Sequence, residues 1–153
     1  MSIWKVLPMI GLFATTACYR YMPPGPPVPS SEVPIRASFG RTWDVVIDLF
    51  ADQNLSIATI ERASGIVVAT PGVLDETPGS AMRYADCGKY ASLAYVANRV
   101  GYNIRVKGDS TRSTLRVNAV FRSVAGGKAY ECSTKNVWEA TIAERIQRKA
   151  EQP

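Results

Sequence analysis

The strongest pattern in the chain is an alternation of apolar and polar positions in its C-terminal half. The alternating runs are residues 100–106, 115–121 and 129–132. Turn-rich stretches at 108–113 and 125–127 separate them. Because successive side chains of a strand point to opposite faces, this period of two predicts a three-stranded antiparallel meander with one apolar face.

Two other segments have the period of an amphipathic helix. Ser38 is a candidate N-cap for the first, and Asn136 with Glu139 has the spacing of a capping box at the start of the second. The apolar face of the first helix consists of Phe39, Trp43, Val46 and Phe50, and that of the second of Trp138, Ile142 and Ile146. Both faces are expected to pack in the core.

Shorter patterns complete the predicted fold. Strands are expected at 33–37, 55–60, 66–70 and 83–87, and an exposed loop at 72–82. The order of elements predicts an α+β fold, with a single antiparallel sheet of about five to six strands and two helices packed on one face. Residues 33–153 are expected to form one globular domain.

The N-terminus has the layout of an export signal. Lys5 precedes an apolar stretch at 6–14, which is too short to span a bilayer, and small residues then lead to Cys18. Residues 1–17 therefore predict a signal peptide. The segment resembles a bacterial lipobox, which implies cleavage before Cys18 and diacylation of its thiol, and Tyr19 after the cysteine implies sorting to the outer membrane, facing the periplasm. The alternative is an ordinary cleaved signal.

Residues 18–32 are predicted to connect the lipidated cysteine to the domain. Residues 19–34 include six prolines, which exclude helix and central strand. The composition favours an extended, stiff tether. A proline-rich ligand for the groove of a partner is the alternative.

Cys87 and Cys132 are the cysteines that remain after Cys18. In an oxidising periplasm they are expected to form a structural disulfide. Two free thiols or a redox pair are the alternatives, although the chain contains no C-x-x-C motif and no histidine to activate a thiolate.

Charge is unevenly distributed. The chain carries a formal charge of +5, and residues 83–135 hold ten Lys or Arg against three acidic residues, a local charge of +7. Several cations alternate out of phase with the apolar positions of the meander and so predict one basic sheet face: Arg105, Lys107, Arg116 and Arg122. This face is either simply solvated or docks an acidic protein, anionic headgroups or a phosphate-bearing glycolipid. Nucleic acid is not an expected partner of an exported lipoprotein.

The residue inventory argues against catalysis and metal binding. The chain has no histidine, which removes histidine bases and ligands, and it lacks the four ligands that a zinc site needs. Three carboxylates, Asp75, Glu76 and Asp86, lie in or near the predicted loop without a convergent partner. We therefore expect neither an enzyme nor a bound cofactor.

From 33 to 146 the arrangement resembles the helix-grip domains of the BamC (NlpB) family, lipoprotein subunits of the outer-membrane barrel-assembly machinery. The likeness rests on the Trp43 helix, the strand pair 55–70 with its turn at Ser64-Gly65, the closing Trp138 helix and the proline-rich segment behind the lipid cysteine. It implies a helix-grip fold and, by analogy, a role in barrel assembly.

These features predict a non-catalytic, lipid-anchored accessory subunit that docks on a membrane-protein complex of the envelope. One alternative is a binding module for a small apolar or lipid ligand, with a cavity lined by Phe39, Trp43, Tyr102, Phe121 and Trp138. Another is an inhibitor of a periplasmic enzyme.

Overall fold

The computed structural model describes residues 20–53, 55–75, 77–90 and 93–152. The strands are β1 (Tyr21–Met22), β2 (Val33–Ile35), β3 (Ile57–Glu61), β4 (Ile66–Ala69), β5 (Gly72–Val73), β6 (Ala85–Asp86), β7 (Lys89–Tyr90), β8 (Leu93–Ala94), β9 (Arg99–Gly108), β10 (Ser113–Ala125) and β11 (Lys128–Thr134). The helices are α1 (Phe39–Asp52), α2 (Pro78–Tyr84) and α3 (Val137–Glu151). None of the described helices is both long and apolar enough to cross a bilayer.

The main sheet has the strand order β3-β4-β9-β10-β11-β6, with β2 added to the edge of β10 and β5 to the edge of β9. A small second sheet has the order β1-β7-β8. All pairings among the described strands are antiparallel. The α+β class is therefore confirmed, but the prediction of a single sheet is wrong, because β1, close to the N-terminus, pairs with β7 in a separate sheet.

The core lies between the main sheet and helices α1 and α3, on the side that we call the inner face. Val46 from α1, Ile146 from α3, and Ile104 and Leu115 from the sheet are almost completely buried. These residues belong to the alternating and helical patterns of apolar positions that predicted the meander and the helices. Burial of these faces supplies the main stabilisation of the domain.

Helix α1 begins as predicted, because the Ser38 side chain accepts a hydrogen bond from the Arg41 amide (3.3 Å). Inside the helix, the buried Thr42 hydroxyl lies 2.8 Å from the Ser113 hydroxyl of β10. The Ser113 hydroxyl in turn donates a hydrogen bond to the carbonyl of Ala37 (3.0 Å), which lies two residues after the end of β2. These buried hydrogen bonds therefore link α1 to β10, and β10 to the segment that follows β2.

Helix α2 lies where a loop was expected at 72–82 and a strand at 83–87, so the loop prediction is wrong over 78–82 and the strand prediction is wrong over 83–84. Thr77 accepts from the Ser80 amide (3.4 Å) and Pro78 occupies the first turn. Both are ordinary helix-start signals, since proline lacks the amide that the first turn leaves unpaired. The helix is short and buries only Ala81, so the 3.6-residue period is hardly visible there.

Helix α3 starts at the predicted place, but different hydrogen bonds stabilise its first turn. Asn136 has a left-handed backbone (φ 58°) and its side chain forms no cap, so the predicted capping box is absent. Instead the Thr134 hydroxyl accepts from the Asn136 amide (3.0 Å) and donates to the Glu139 carboxylate (2.5 Å). Glu139 is only 2% exposed and lies in the first helical turn, where the helix dipole favours negative charge.

The proline-rich segment lies on the domain rather than away from it. The Val28 amide donates to the Thr134 carbonyl (2.9 Å), and Gly25 donates to the Asp86 carboxylate (3.0 Å). Ser30 accepts at its carbonyl from Arg116 (3.0 Å). Proline removes donors but keeps carbonyls, so the residues between the prolines make these bonds. The division into a tether at 18–32 and a domain from 33 stays a prediction.

The predicted disulfide between Cys87 and Cys132 is confirmed. It joins the turn after β6 to β11 and lies in a second apolar cluster with Phe121, Ala85 and Ala97. The cross-link closes a separation of 45 residues. It therefore connects the main sheet to the turn that leads into the small sheet.

We expect the double substitution Cys87→Ala, Cys132→Ala to lower the free energy of unfolding by about 2–4 kcal/mol, because the cross-link restricts the unfolded chain. Urea unfolding followed by tryptophan fluorescence measures the loss. Wild-type protein with reductant should show a similar decrease. An unchanged urea midpoint in both experiments would contradict the prediction.

The left-handed turn at Asn136 gives a second stability prediction. Asn136→Ala should lower the free energy of unfolding by about 1 kcal/mol, since alanine has a steric penalty in this conformation. Asn136→Gly is the matched control and should cost less than Asn136→Ala, because glycine adopts a positive φ freely. Equal losses in the two variants would instead indicate a role for the side chain.

Candidate functional site

The side of the main sheet opposite the helices, which we call the outer face, carries the predicted basic residues. In β9 the outward positions are odd-numbered and in β10 they are even-numbered, as the burial of the intervening residues shows. The outward pairs of the β9–β10 register are Lys107 with Thr114, Arg105 with Arg116, Asn103 with Asn118, Gly101 with Val120, and Arg99 with Arg122. All four predicted cations therefore share one face.

The four cations do not form one cluster. Arg105, Lys107 and Arg116 lie at one end of the face, and Arg122 lies six residues from Arg116 along β10, which is about 20 Å at strand spacing. Arg105 and Arg116 lie directly opposite each other on neighbouring strands, and like charges in this arrangement destabilise the sheet. An anionic partner would relieve this repulsion.

The four cations differ in their exposure and in whether they already contact another group of the protein. Arg105 and Lys107 are exposed, and no acidic side chain among the described residues forms an ion pair with either. Arg116 is half-buried, and its Nη2 donates to the Ser30 carbonyl (3.0 Å). Arg122 lies 3.7 Å from the Glu131 carboxylate. Arg105 and Lys107 are therefore the cations best placed to meet a partner.

Beside these residues the outer face contains an apolar groove of about 500 Å³. Its apolar walls include Val68, Pro71, Val120 and Val124, and Arg99 and Arg122 are the cations among its lining residues. Val120 is 49% exposed although it lies in the middle of a long strand. Val120 and Val124 are both exposed outward residues of β10, with Arg122 between them, and with Val68 and Pro71 they form an apolar surface suited to an apolar partner group.

Local sequence explains the shape of the groove. Pro71 interrupts the strand that would otherwise join β4 to β5, and both pieces pair with β9. A Cβ atom at Gly101 would lie 3.2 Å from Pro71 Cγ, so glycine allows the proline to lie across this strand. The groove thus forms where the ladder is interrupted.

Between the groove and the cluster of Arg105, Lys107 and Arg116 lies a pair of amides. Asn118 Nδ2 donates to Asn103 Oδ1 (2.9 Å), and the Ser30 hydroxyl donates to Asn118 Oδ1 (2.5 Å). These side chains already have partners within the protein. Their role is to attach residue 30 to the sheet.

Arg99, Val120 and Val124 are residues of this face that were not predicted from the sequence. The signal was available, because Val120 and Val124 share the phase of Arg116 and Arg122. The arginines in this phase predict a basic face, whereas the two valines depart from that pattern. What the sequence did not show is that Pro71 and Val68 close the groove from the neighbouring strands.

The expected packing of the apolar helix faces in the core is confirmed, and the aromatic residues named for the alternative of a ligand cavity contact one another there. Tyr102 contacts Trp138 with ring centroids 4.9 Å apart, and Phe121 meets the same indole edge-to-face at 6.2 Å. Burial raises the pKa of Tyr102 to about 12. Phe39 stacks on Trp43 at 5.9 Å, and the Arg62 guanidinium lies over both rings. The space between helices and sheet is occupied at these positions.

The carboxylates considered for catalysis do not converge. The Asp86 carboxylate accepts hydrogen bonds from the Gly25 amide (3.0 Å) and the Gly88 amide (2.9 Å). These bonds lower the pKa of Asp86. The carboxylate therefore holds the backbone at Gly25 and Gly88 in place. Asp75 is exposed, and Glu76 lies outside the described residues. Across the described part of the chain, no group of three or more acidic or cysteine side chains is suited to hold a metal ion.

Cys18 and the predicted signal peptide also lie outside the described residues. No known protein family and no curated protein matches this chain. The resemblance to BamC-type domains therefore stays a prediction.

Proposed function

We propose that this protein is a non-catalytic, lipid-anchored accessory subunit that docks on a membrane-protein complex of the envelope through the outer face of its main sheet. The observation that carries the proposal is that none of the described helices lies on this face, whereas α1 and α3 cover the other. It combines an apolar groove with cations that lack acidic partners among the described residues. A non-obligate protein interface has this composition, with apolar anchors and a polar rim.

The partner surface is expected to be acidic around an apolar side chain. Val120 and Val124 would contact that side chain, and Arg105 and Lys107 would attract the surrounding carboxylates. Complementary charge mainly increases the association rate and the selectivity, while the buried apolar contact supplies affinity.

The compartment follows from the anchor and the disulfide. Cys18 after the predicted signal peptide would carry the acyl chains, and the protein would face the periplasm from the outer membrane. The Cys87–Cys132 disulfide supports an oxidising compartment. Two helices on an antiparallel sheet agree with a helix-grip, BamC-like domain, and assistance to barrel assembly is the role that this resemblance suggests.

A second candidate function is binding of a small apolar or lipid ligand. The volume of the outer groove falls within the usual range of small-molecule sites. The ligand would then lie on the outer face instead of among the core aromatics. Native mass spectrometry of the purified protein would detect a retained ligand.

The docking prediction concerns Val120. A tagged Val120→Asp protein should recover the partner complex from mildly solubilised membranes at least about tenfold less well than wild type, because a charge replaces an apolar anchor. Ile60→Asp is the matched control, since Ile60 is 53% exposed and lies on the edge strand β3. Equal recovery with both variants, or no partner with the wild type, would contradict the proposal.

The anchor prediction concerns Cys18. Cys18→Ser should move the protein from the membrane fraction to the soluble periplasmic fraction, because the acyl chains supply the membrane affinity. Mass spectrometry of the mature N-terminal peptide should find the lipid on residue 18 of the wild type. A soluble wild-type protein that begins after another residue would show an ordinary signal peptide.

A further inference from the structure

A small cavity of about 110 Å³ lies between the start of α3, strand β10 and the chain segment that precedes β2. The residues of its wall that matter for its chemistry are Ser30, Ser31, Val117, Asn136, Glu139 and Glu144. The cavity therefore lies where the helix meets the segment that follows the prolines.

Glu139, in the wall of this cavity, is a buried carboxylate with one oxygen unsatisfied. The residue is 2% exposed. Its Oε1 accepts a hydrogen bond from the Thr134 hydroxyl (2.5 Å). Its Oε2 is buried and has no hydrogen-bond partner among the described residues. Buried polar atoms are normally hydrogen-bonded, and buried charges are normally paired or bind a metal, because an unpaired group loses its hydration without compensation.

The described part of the chain supplies no cation for this carboxylate. No lysine or arginine is among the described residues that line the cavity, and none of the ion pairs between described residues includes Glu139. Arg116, the neighbour of Val117, points to the outer face and donates to the Ser30 carbonyl (3.0 Å). The helix dipole favours a carboxylate at this position but gives Oε2 no direct contact.

The other polar groups of the wall are oxygen donors for a cation. Glu144 and Ser31 are exposed and line the same cavity as the buried Glu139. Asn136 is half-buried, and its side chain forms no capping hydrogen bond. Carboxylate, amide and hydroxyl oxygens are the ligands that hard cations prefer. A water molecule takes about 30 Å³ in the liquid, so the cavity has room for an ion together with water.

We propose that this cavity is a calcium site in which Glu139 binds the ion from the buried side and Glu144 from the exposed side. Asn136, Ser31 and water would complete the coordination. Calcium accepts irregular oxygen coordination, whereas magnesium requires a nearly ideal octahedron. Because only two carboxylates take part, the expected dissociation constant is about 1 mM.

A bound ion would connect α3 to the segment that precedes β2. Ser31 belongs to that segment, and its neighbour Ser30 is already hydrogen-bonded to Asn118 of β10. The ion would therefore strengthen the attachment of this segment to the domain. The inference is independent of the proposed anchor at Cys18 and of the proposed docking face.

The test is thermal unfolding of the full chain in its processed form, purified in mild detergent and freed of metal with a chelator. Addition of about 10 mM calcium should raise the unfolding temperature of the wild type by about 4 °C, since an ion that binds only the folded state stabilises it. Glu139→Gln keeps the shape of the side chain and removes its charge. It should lose this response and shift by less than about 1 °C under the same conditions.

Glu32→Gln is the matched control. Glu32 is exposed and follows Ser31 directly, but it does not line the cavity. This variant should keep the wild-type response to calcium. Sodium chloride at the same ionic strength should shift the wild type much less than calcium does.

An unchanged unfolding temperature of the wild type in calcium would overturn the proposal. Equal calcium shifts in the wild type and in Glu139→Gln, or an equal shift with sodium chloride, would show a general salt effect and would also overturn it. A shift at least as large with magnesium would refute the assignment to calcium. If circular dichroism shows that Glu139→Gln does not fold, Glu144→Gln replaces it, because Glu144 is exposed. That variant should lose at least half of the calcium shift, and a full response would contradict the proposal.

Discussion

The pairing of β9 with β10 is the constraint on which the other features depend. It extends over ten residue pairs, from Ser113 with Gly108 to Arg122 with Arg99. This register directs Tyr102, Ile104 and Val106 to the helices, and it directs their neighbours to the outer face. A slip of one residue would expose the apolar set and bury the arginines, so the core fixes the composition of the outer face.

The turn between these strands is built to hold that register. The Asp109 carboxylate accepts from the Thr111 hydroxyl (2.7 Å) and from the amides of Thr111 and Arg112. These bonds lower the pKa of Asp109 to about 2. The carboxylate therefore stays ionised, and its hydrogen bonds in the turn persist, at pH values well above 2.

The outer face and the small sheet lie in different parts of the domain. The outer face presents exposed valines and arginines on β9 and β10, and it is the surface that we propose for docking. The small sheet contains the first described strand of the chain, and the Cys87–Cys132 disulfide links the turn that leads into this sheet to β11.

Local periodicity was enough to predict α1, α3, the meander and the face that carries Arg105 and Lys107, because each depends on neighbours within a few residues. The pairing of Cys87 with Cys132 was predictable from the cysteine count and the inferred compartment. Three features needed the tertiary structure, since each joins residues distant in sequence: the bonds of Gly25 and Val28 to the domain, the groove closed by Pro71 over Gly101, and the small sheet formed by β1 with β7. A two-residue strand has no period to detect, and its existence depends on a partner that only folding supplies.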